Sequence, residues 1–216
     1  VDWHRWHQGY QEGGKLQERL RIVQDQLRLA LAAVPPGPVQ IISVCAGQGH
    51  DVVGMVSGSE RRGDVRACLV ELDGRNVAEA QRRIDDADLQ GFEVRQADAG
   101  ITDTYDGAAP ADIVLLCGEF GSLTDDDVES TVATLPQLCK ERGQVIWTAH
   151  RAAPGLFEHA SAAFERHGFV PVWKDPNDPF GVARDQLVAR PREFRTGQRM
   201  FSFADEQTLI ALGRTI

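Results

Sequence analysis

The chain has 216 residues, 42% of them hydrophobic and 25% charged, with 32 acidic against 23 basic side chains and a net charge of −9. That length suits one globular unit with a buried core, and the composition excludes a disordered chain. No apolar run approaches the roughly 20 residues of a membrane span, which excludes a membrane-embedded class. The acidic balance disfavours bulk nucleic-acid binding, which rests on Lys and Arg displacing counterions.

Val1 to His7 lacks the basic flank and apolar stretch of a secretory signal, and the absence of an initiator Met fits a chain that begins inside its reading frame. Trp3 to Tyr10 then concentrates two of the four tryptophans and one of the two tyrosines. Residues 1–14 are expected to form an aromatic lid over a ligand or a strap on a sheet edge. Leu16, Leu20, Val23, Leu27 and Leu31 follow at helical spacing, predicting a leading helix over 15–34 that Pro35-Pro36-Gly37-Pro38 must stop.

The core is expected over 39–216. Strands are predicted at Val39 to Cys45, Arg66 to Leu72, Phe92 to Gln96, Asp112 to Cys117 and Gln144 to Ala149. Helices fall between them at Asp51 to Ser57, Arg75 to Ala87 and Asp125 to Cys139, the last entered through Thr124 as N-cap with Asp127 three residues on. This alternation implies parallel pairing through right-handed crossovers, an open, doubly wound, Rossmann-like α/β sheet. After a helix from Pro154 to His167, the runs Phe169 to Trp173, Gly181 to Val188 and Arg199 to Phe203 have no helix between them and are expected to pair antiparallel at the C-terminal edge. Arg61-Arg62, Arg82-Arg83 and Arg190 to Arg199 read as solvated basic clusters. The widely spaced Cys45, Cys68, Cys117 and Cys139 read as buried reduced thiols of a cytoplasmic protein, and no Cys/His spacing suits a metal.

In such sheets ligands lie beyond the carboxyl ends of the strands. The first strand runs into Cys45-Ala46-Gly47-Gln48-Gly49-His50-Asp51, whose glycines permit close backbone approach and whose following helix offers free N–H groups. A nicotinamide fingerprint needs a third glycine where Val52 stands, which removes the main support for a dehydrogenase. Glu71 ends the second strand, 22 residues after Gly49, where a carboxylate takes both hydroxyls of a ribose, while Asp73 suits a helix start. Asp98 ends the third strand and can accept from an exocyclic base amine. Gly118-Glu119-Phe120-Gly121 follows the fourth as a loop on the same rim.

Together these features resemble class I S-adenosylmethionine-dependent methyltransferases over roughly Lys15 to Phe203. The family's first turn carries an acid, any residue, then Gly-x-Gly-x-Gly; here Ser43 stands at the acid and Cys45 at the first glycine. The resemblance implies S-adenosylmethionine as cofactor, S-adenosylhomocysteine as product and methyl transfer to O, N or C of a small molecule. It places the cofactor against Cys45, Ala46, Gly47 and Gly49, ribose on Glu71 beside Leu72, adenine on Asp98 and Ala99, and the methionine end on Cys117 and Gly118. Arg19 and Gln24, on the polar side of the leading helix, read either as reaching the cofactor carboxylate or as a solvated face, and Tyr10 belongs to the aromatic segment that would close over the cofactor.

A sulfonium methyl is already activated, so proximity, alignment and water exclusion dominate and a base is optional. The candidate bases are His150, Glu119 and His7, with His50 and His4 behind them. The acceptor pocket is expected between the N-terminal segment and the loops after the fourth and fifth strands, suited to a small, partly apolar molecule. Alternatives are an RNA or protein methyltransferase, which would need an extended acceptor surface, and a non-catalytic module that binds an adenosyl ligand. No nucleic-acid or membrane partner is expected.

Overall fold

A computed structural model of the protein describes residues 14–174 and 179–214. In chain order the elements are α1 (Lys15–Ala33), β1 (Val39–Val44), α2 (Val52–Ser57), β2 (Val65–Glu71), α3 (Gly74–Asp86), β3 (Phe92–Gln96), β4 (Ala111–Cys117), α4 (Asp125–Leu138), β5 (Cys139–Thr148), α5 (Leu156–Arg166), β6 (Phe169–Lys174), β7 (Val182–Leu187) and α6 (Glu206–Ala211). The sheet order is β3-β2-β1-β4-β5-β7-β6. β1 to β5 run parallel, and β7 lies antiparallel between β5 and the edge strand β6. This is the mostly parallel Rossmann-like sheet with an antiparallel C-terminal edge.

Each central strand is buried on both faces, so successive side chains serve opposite cores. Ile41, Leu69, Ile113, Leu115 and Ile146 join Val23, Leu27 and Leu31 of α1, Val52 to Val56 of α2 and Ile84 of α3. Ile42, Val70, Val114, Leu116 and Trp147 join Val128, Val132 and Leu135 of α4 and Ala160 and Phe164 of α5. Trp147 stacks on Phe164 at 5.1 Å between ring centres, and its indole N–H donates to Asp185 Oδ2 at 2.7 Å, which satisfies the one polar group of a fully buried ring.

The helix ends follow from named side chains. Thr124 caps α4, its Oγ1 accepting from the Asp127 N–H at 3.1 Å. Arg61 donates through Nη1 to the carbonyls of Leu31 and Val34, both at 2.7 Å, and through Nη2 to Pro35 and Gly37, so one guanidinium closes the C-terminus of α1 and the turn beyond it. Its neighbour Arg62 donates to the carbonyls of Ala87 and Asp88, both at 2.9 Å, just past α3. The Arg61-Arg62 pair is therefore a clamp on two helix ends, not a solvated cluster.

Two expected elements differ. The helix predicted through Cys139 stops at Leu138, and Cys139 opens β5 opposite Ala111. Pro136 lies inside the last turn, and the chain leaves the helix where Cys139 turns to extended backbone, φ −100° and ψ 139°. Arg199 to Phe203 is not a strand. It makes one bridge, Ile101 with Arg199, and its other backbone bonds go to scattered partners. The Met200 N–H reaches the Gly100 carbonyl at 2.7 Å, and the Ser202 N–H reaches Asp127 Oδ1 at 3.2 Å. An alternating pattern finds no ladder where successive partners belong to different elements. The last helix, α6, carries no strong periodic signal.

All four cysteines are unpaired, Cys68 and Cys139 buried and Cys45 and Cys117 partly so. No helix among the described residues is long and apolar enough to cross a membrane.

Candidate functional site

The strand order reverses between β1 and β4, and a cavity of about 530 Å³ opens there beyond the carboxyl ends of the parallel strands. Its walls are Cys45 after β1, Glu71 to Asp73 after β2, Asp98 and Ala99 after β3, Cys117 to Glu119 and Ser122 after β4, and Arg199 with residues 201–203. A smaller pocket beside it is bounded by Arg19, Ala46, His50 and Asp51, and it shares Cys45 and Cys117 with the larger one.

The first turn is left-handed at Cys45, Gly47 and Gly49, with φ of 51°, 57° and 70°. Only glycine takes this region without cost, so Cys45 holds a strained conformation at the position where the motif ordinarily has glycine. Gly49 serves packing: a Cβ there would lie 3.0 Å from Leu69 Cδ2 and 3.1 Å from Val53 Cγ2. The N-terminus of α2 is not open to a ligand as expected, because the Asp51 carboxylate accepts from the Val52 N–H at 2.7 Å.

Glu71 braces the turn. Its Oε2 accepts from the Gly47 N–H at 2.9 Å and its Oε1 from the Asp73 N–H at 2.8 Å. Each oxygen keeps a second lone-pair site for a ligand hydroxyl. Asp73 is the N-cap of α3, as its place before the helix predicts. Asp98 accepts through Oδ1 from the Gly100 N–H at 2.8 Å, and its Oδ2 pairs with Arg199 at 3.1 Å. Leu72 is 62% exposed at the rim.

The loop after β4 holds a buried carboxyl whose pKa is raised. Gly118 turns the chain with φ of 128°, Phe120 is buried against Trp147, and the Ser122 N–H closes a tight turn on the Glu119 carbonyl at 2.8 Å. Glu119 is 3% exposed, and no other described residue donates a hydrogen bond to either carboxylate oxygen. Burial pushes its carboxyl up to about 8; its own backbone N–H and Arg19 pull the other way, and Asp51 adds to the rise. The thiols of Cys45 and Cys117 are also raised by burial, with Glu119 among the charges adding to both. Neither is a nucleophile at neutral pH.

The expected site residues divide. Cys45, Glu71, Leu72, Asp98, Ala99, Cys117, Gly118 and Glu119 line the large cavity. Ala46 and Arg19 reach the small one, where a Cβ on Gly118 would lie 3.8 Å from Arg19 Nη1. Gln24 is used structurally, donating to the His50 carbonyl at 2.9 Å. His150 is exposed, accepts from the Ala152 N–H at 3.0 Å, and is not on the cavity wall. His50 borders the small pocket, where burial chiefly, with Arg83 beside it and Glu79 opposing, lowers it to about 4 and keeps it neutral. Tyr10, His7 and His4, with the lid or strap, lie outside the described residues. Sequence reasoning missed Ser122, Arg199 and Phe201 to Phe203. A run read as a strand carries no mark of the loop it will cover. Among the described residues no cluster of His, Cys, Asp and Glu is built to hold a metal.

No protein-family model and no curated protein sequence matches the chain. Solved structures do. The magnesium protoporphyrin IX methyltransferase of Synechocystis PCC 6803, solved with bound SAM, superposes with a TM-score of 0.66 over 87% of this chain and 91% of its own, at 11% identity. The CurJ carbon methyltransferase gives 0.67 over 83% of this chain at 12% identity, and the chain spans 57% of its length. An O-methyltransferase family protein from Burkholderia thailandensis gives 0.63 at 14% identity, over 80% of this chain and 56% of that one. With its sheet order and the cavity at the switch point, the chain has the class I S-adenosylmethionine-dependent methyltransferase fold.

Proposed function

We propose that this chain binds S-adenosylmethionine in the large cavity and transfers its methyl group to an O, N or C atom of a small molecule. The observation that carries the reading is the convergence of the Cys45 turn, Glu71, Asp98 with Ala99, and Cys117 with Gly118 from four consecutive parallel strands onto one cavity. The groups present fit such a ligand. Glu71 is held by two backbone amides and retains acceptor capacity for ribose hydroxyls. The Gly118 backbone has no side chain to bar a ligand, and Arg19 beside it suits the carboxylate of a methionine end. Asp98 suits an exocyclic amine, and Ala99 lines the same cavity.

Bound S-adenosylmethionine would supply a sulfonium-activated methyl group. The work of the chain is then alignment and exclusion of water between the apolar walls formed by Ala99, Phe201 and Phe203. We read residues 1–216 as one methyltransferase unit in a reducing, cytoplasmic setting, in keeping with its unpaired cysteines. An acceptor without nucleic-acid character accords with the net charge of −9.

Calorimetric titration with S-adenosylmethionine, S-adenosylhomocysteine and NAD tests this reading. Micromolar binding of the adenosyl ligands alone is expected, and Glu71→Ala should weaken it by about 1 to 3 kcal/mol through the loss of charge-assisted hydrogen bonds. A folded protein that binds neither adenosyl ligand overturns it. A non-catalytic adenosyl-binding module is the second reading, favoured by Ser43 and the strained Cys45 at motif positions. Release of S-adenosylhomocysteine with any acceptor excludes it.

A further inference from the structure

The methyltransferase motif has an acid where this chain has Ser43. Ser43 is 1% exposed and lies in β1 opposite Leu69 of β2 and Leu115 of β4, both in the core that α1 and α2 cover. A serine there leaves that face of β1 without a carboxylate. Asp51 brings one back to the same side of the sheet. It stands at the start of α2, and with Arg19 of α1 it borders the small pocket.

Helix capping does not account for Asp51. An N-cap residue has extended backbone and bonds the second or third N–H of its helix. Asp51 has helical backbone, φ −74° and ψ −62°, and its Oδ1 takes only the adjacent Val52 N–H at 2.7 Å. The Val53 N–H is already satisfied by the Gly49 carbonyl at 3.0 Å. Asp51 Oδ2 has no donor among the described residues and keeps accessible surface, unlike the sealed oxygens of Glu119. One oxygen is thus held while the other is open to a ligand. The small pocket measures about 30 Å³ and shares Cys45 and Cys117 with the large cavity. That volume takes about two water-sized groups and no ring, so it suits the polar tip of a chain whose body lies in the large cavity.

We propose that the small pocket is a subsite for a zwitterionic amino-acid end, in which Asp51 receives the ammonium and Arg19 the carboxylate, so that Asp51 supplies the anion absent at Ser43. This rests on the binding of S-adenosylmethionine proposed above and names the residue that selects its charged end. An ammonium that leaves water for a partly buried pocket needs an anionic acceptor, and a charged pair of hydrogen-bonding groups is the strong form of that contact. Glu71 is taken up in bracing the first turn, and the oxygens of Glu119 are closed off. Arg19 meets both compartments: it borders the small pocket, and a Cβ on Gly118 in the wall of the large one would lie 3.8 Å from its Nη1. Its charge also acts on the Asp51 carboxyl, lowering it against the rise that burial causes. Two opposite charges on one narrow pocket match an amino acid and disfavour an end of single charge.

The test is calorimetry on the full chain with S-adenosylhomocysteine, its analogue with a hydroxyl in place of the amino group, its decarboxylated analogue, and 5′-methylthioadenosine, which lacks the amino-acid end. The parent should bind S-adenosylhomocysteine about tenfold or more tighter than the hydroxyl analogue, the least that loss of a hydrogen bond between charged groups gives. D51N, whose amide oxygen can still accept from the Val52 N–H, should erase that preference while affinity for 5′-methylthioadenosine stays within about twofold. R19Q should erase the preference over the decarboxylated analogue instead. D51S serves the same comparison if D51N does not fold. A parent that binds S-adenosylhomocysteine no tighter than the hydroxyl analogue overturns the proposal, as does an Asp51 variant that keeps the preference. If the Asp51 variants weaken all four ligands alike, Asp51 only shapes the first turn and the proposal falls. A parent that binds none of the four overturns the S-adenosylmethionine reading as well, whereas one that binds S-adenosylhomocysteine and 5′-methylthioadenosine equally overturns this proposal alone.

Discussion

Arg199 and Asp98, 101 residues apart in sequence, meet as an ion pair 3.1 Å long on the wall of the cavity. The pair is about half exposed on both sides, so its worth lies in position and not in stability. It holds Asp98 Oδ2 in place and ties the segment of Arg199 to the loop after β3.

Asp98→Asn separates these roles. The Asn amide oxygen can still accept from the Gly100 N–H, so the loop keeps its brace. The charge that would receive an adenine amine is lost. Binding of S-adenosylhomocysteine should weaken by about 1.5 to 3 kcal/mol by calorimetry, the range for hydrogen bonds to charged groups, while the free energy of unfolding in urea changes by less than about 1 kcal/mol.

Gly100→Ala attacks the same wall sterically. A Cβ at Gly100 would stand 2.3 Å from the Phe201 carbonyl oxygen, a backbone atom that can yield only if the segment moves. Destabilisation of about 1 to 3 kcal/mol is expected, together with weaker ligand binding. Gly58→Ala is the control: nothing lies within 4 Å of the added carbon, and urea unfolding should be unchanged or slightly stabilised.

Glu119 should leave a mark on the pH dependence of folding. Its carboxyl rises from 4.5 to about 8 on folding, so between those values the native state holds a proton that the unfolded chain has lost. The contribution of Glu119 to stability therefore falls as pH rises through that window, by up to about 1.4 kcal/mol per unit, while neutral His50 contributes with the opposite sign below about 6.5, and E119Q removes only the Glu119 part. At pH 8.5 the variant should unfold at higher urea than the parent. A difference in stability between E119Q and the parent that is the same at pH 5 and pH 8.5 would contradict the raised carboxyl.

Arg61→Ala strips four carbonyl acceptors at the end of α1 of their shared donor. The Leu31 carbonyl keeps the Val34 N–H and that of Pro35 faces solvent, so the other two, left unpaired at on the order of 1 kcal/mol each, set an expected loss of about 2 kcal/mol. Hydrogen exchange should show the last turn of α1 opening first. Arg62→Ala, which frees two carbonyls past α3, should cost less.

The parallel strands were legible because each is a short apolar run ended by a turn, and the helices because their apolar residues recur at helical spacing. Glu71 and Asp98 were legible too, since strand ends in such a sheet must meet at one rim. What escaped depended on partners far away in the chain. Nothing in Arg199 to Phe203 says that Gly100 and Asp127 will take its backbone groups, and nothing beside Arg61 says that its donors end a helix 30 residues earlier.

The stretch that follows β7 reaches back across the loops after β3 and β4, and this sets an order of events during synthesis. A nascent chain that has emerged only through Leu187 possesses every strand of the described sheet yet lacks Arg199 and residues 201–203 on the cavity wall. The scaffold is therefore complete before the cavity is.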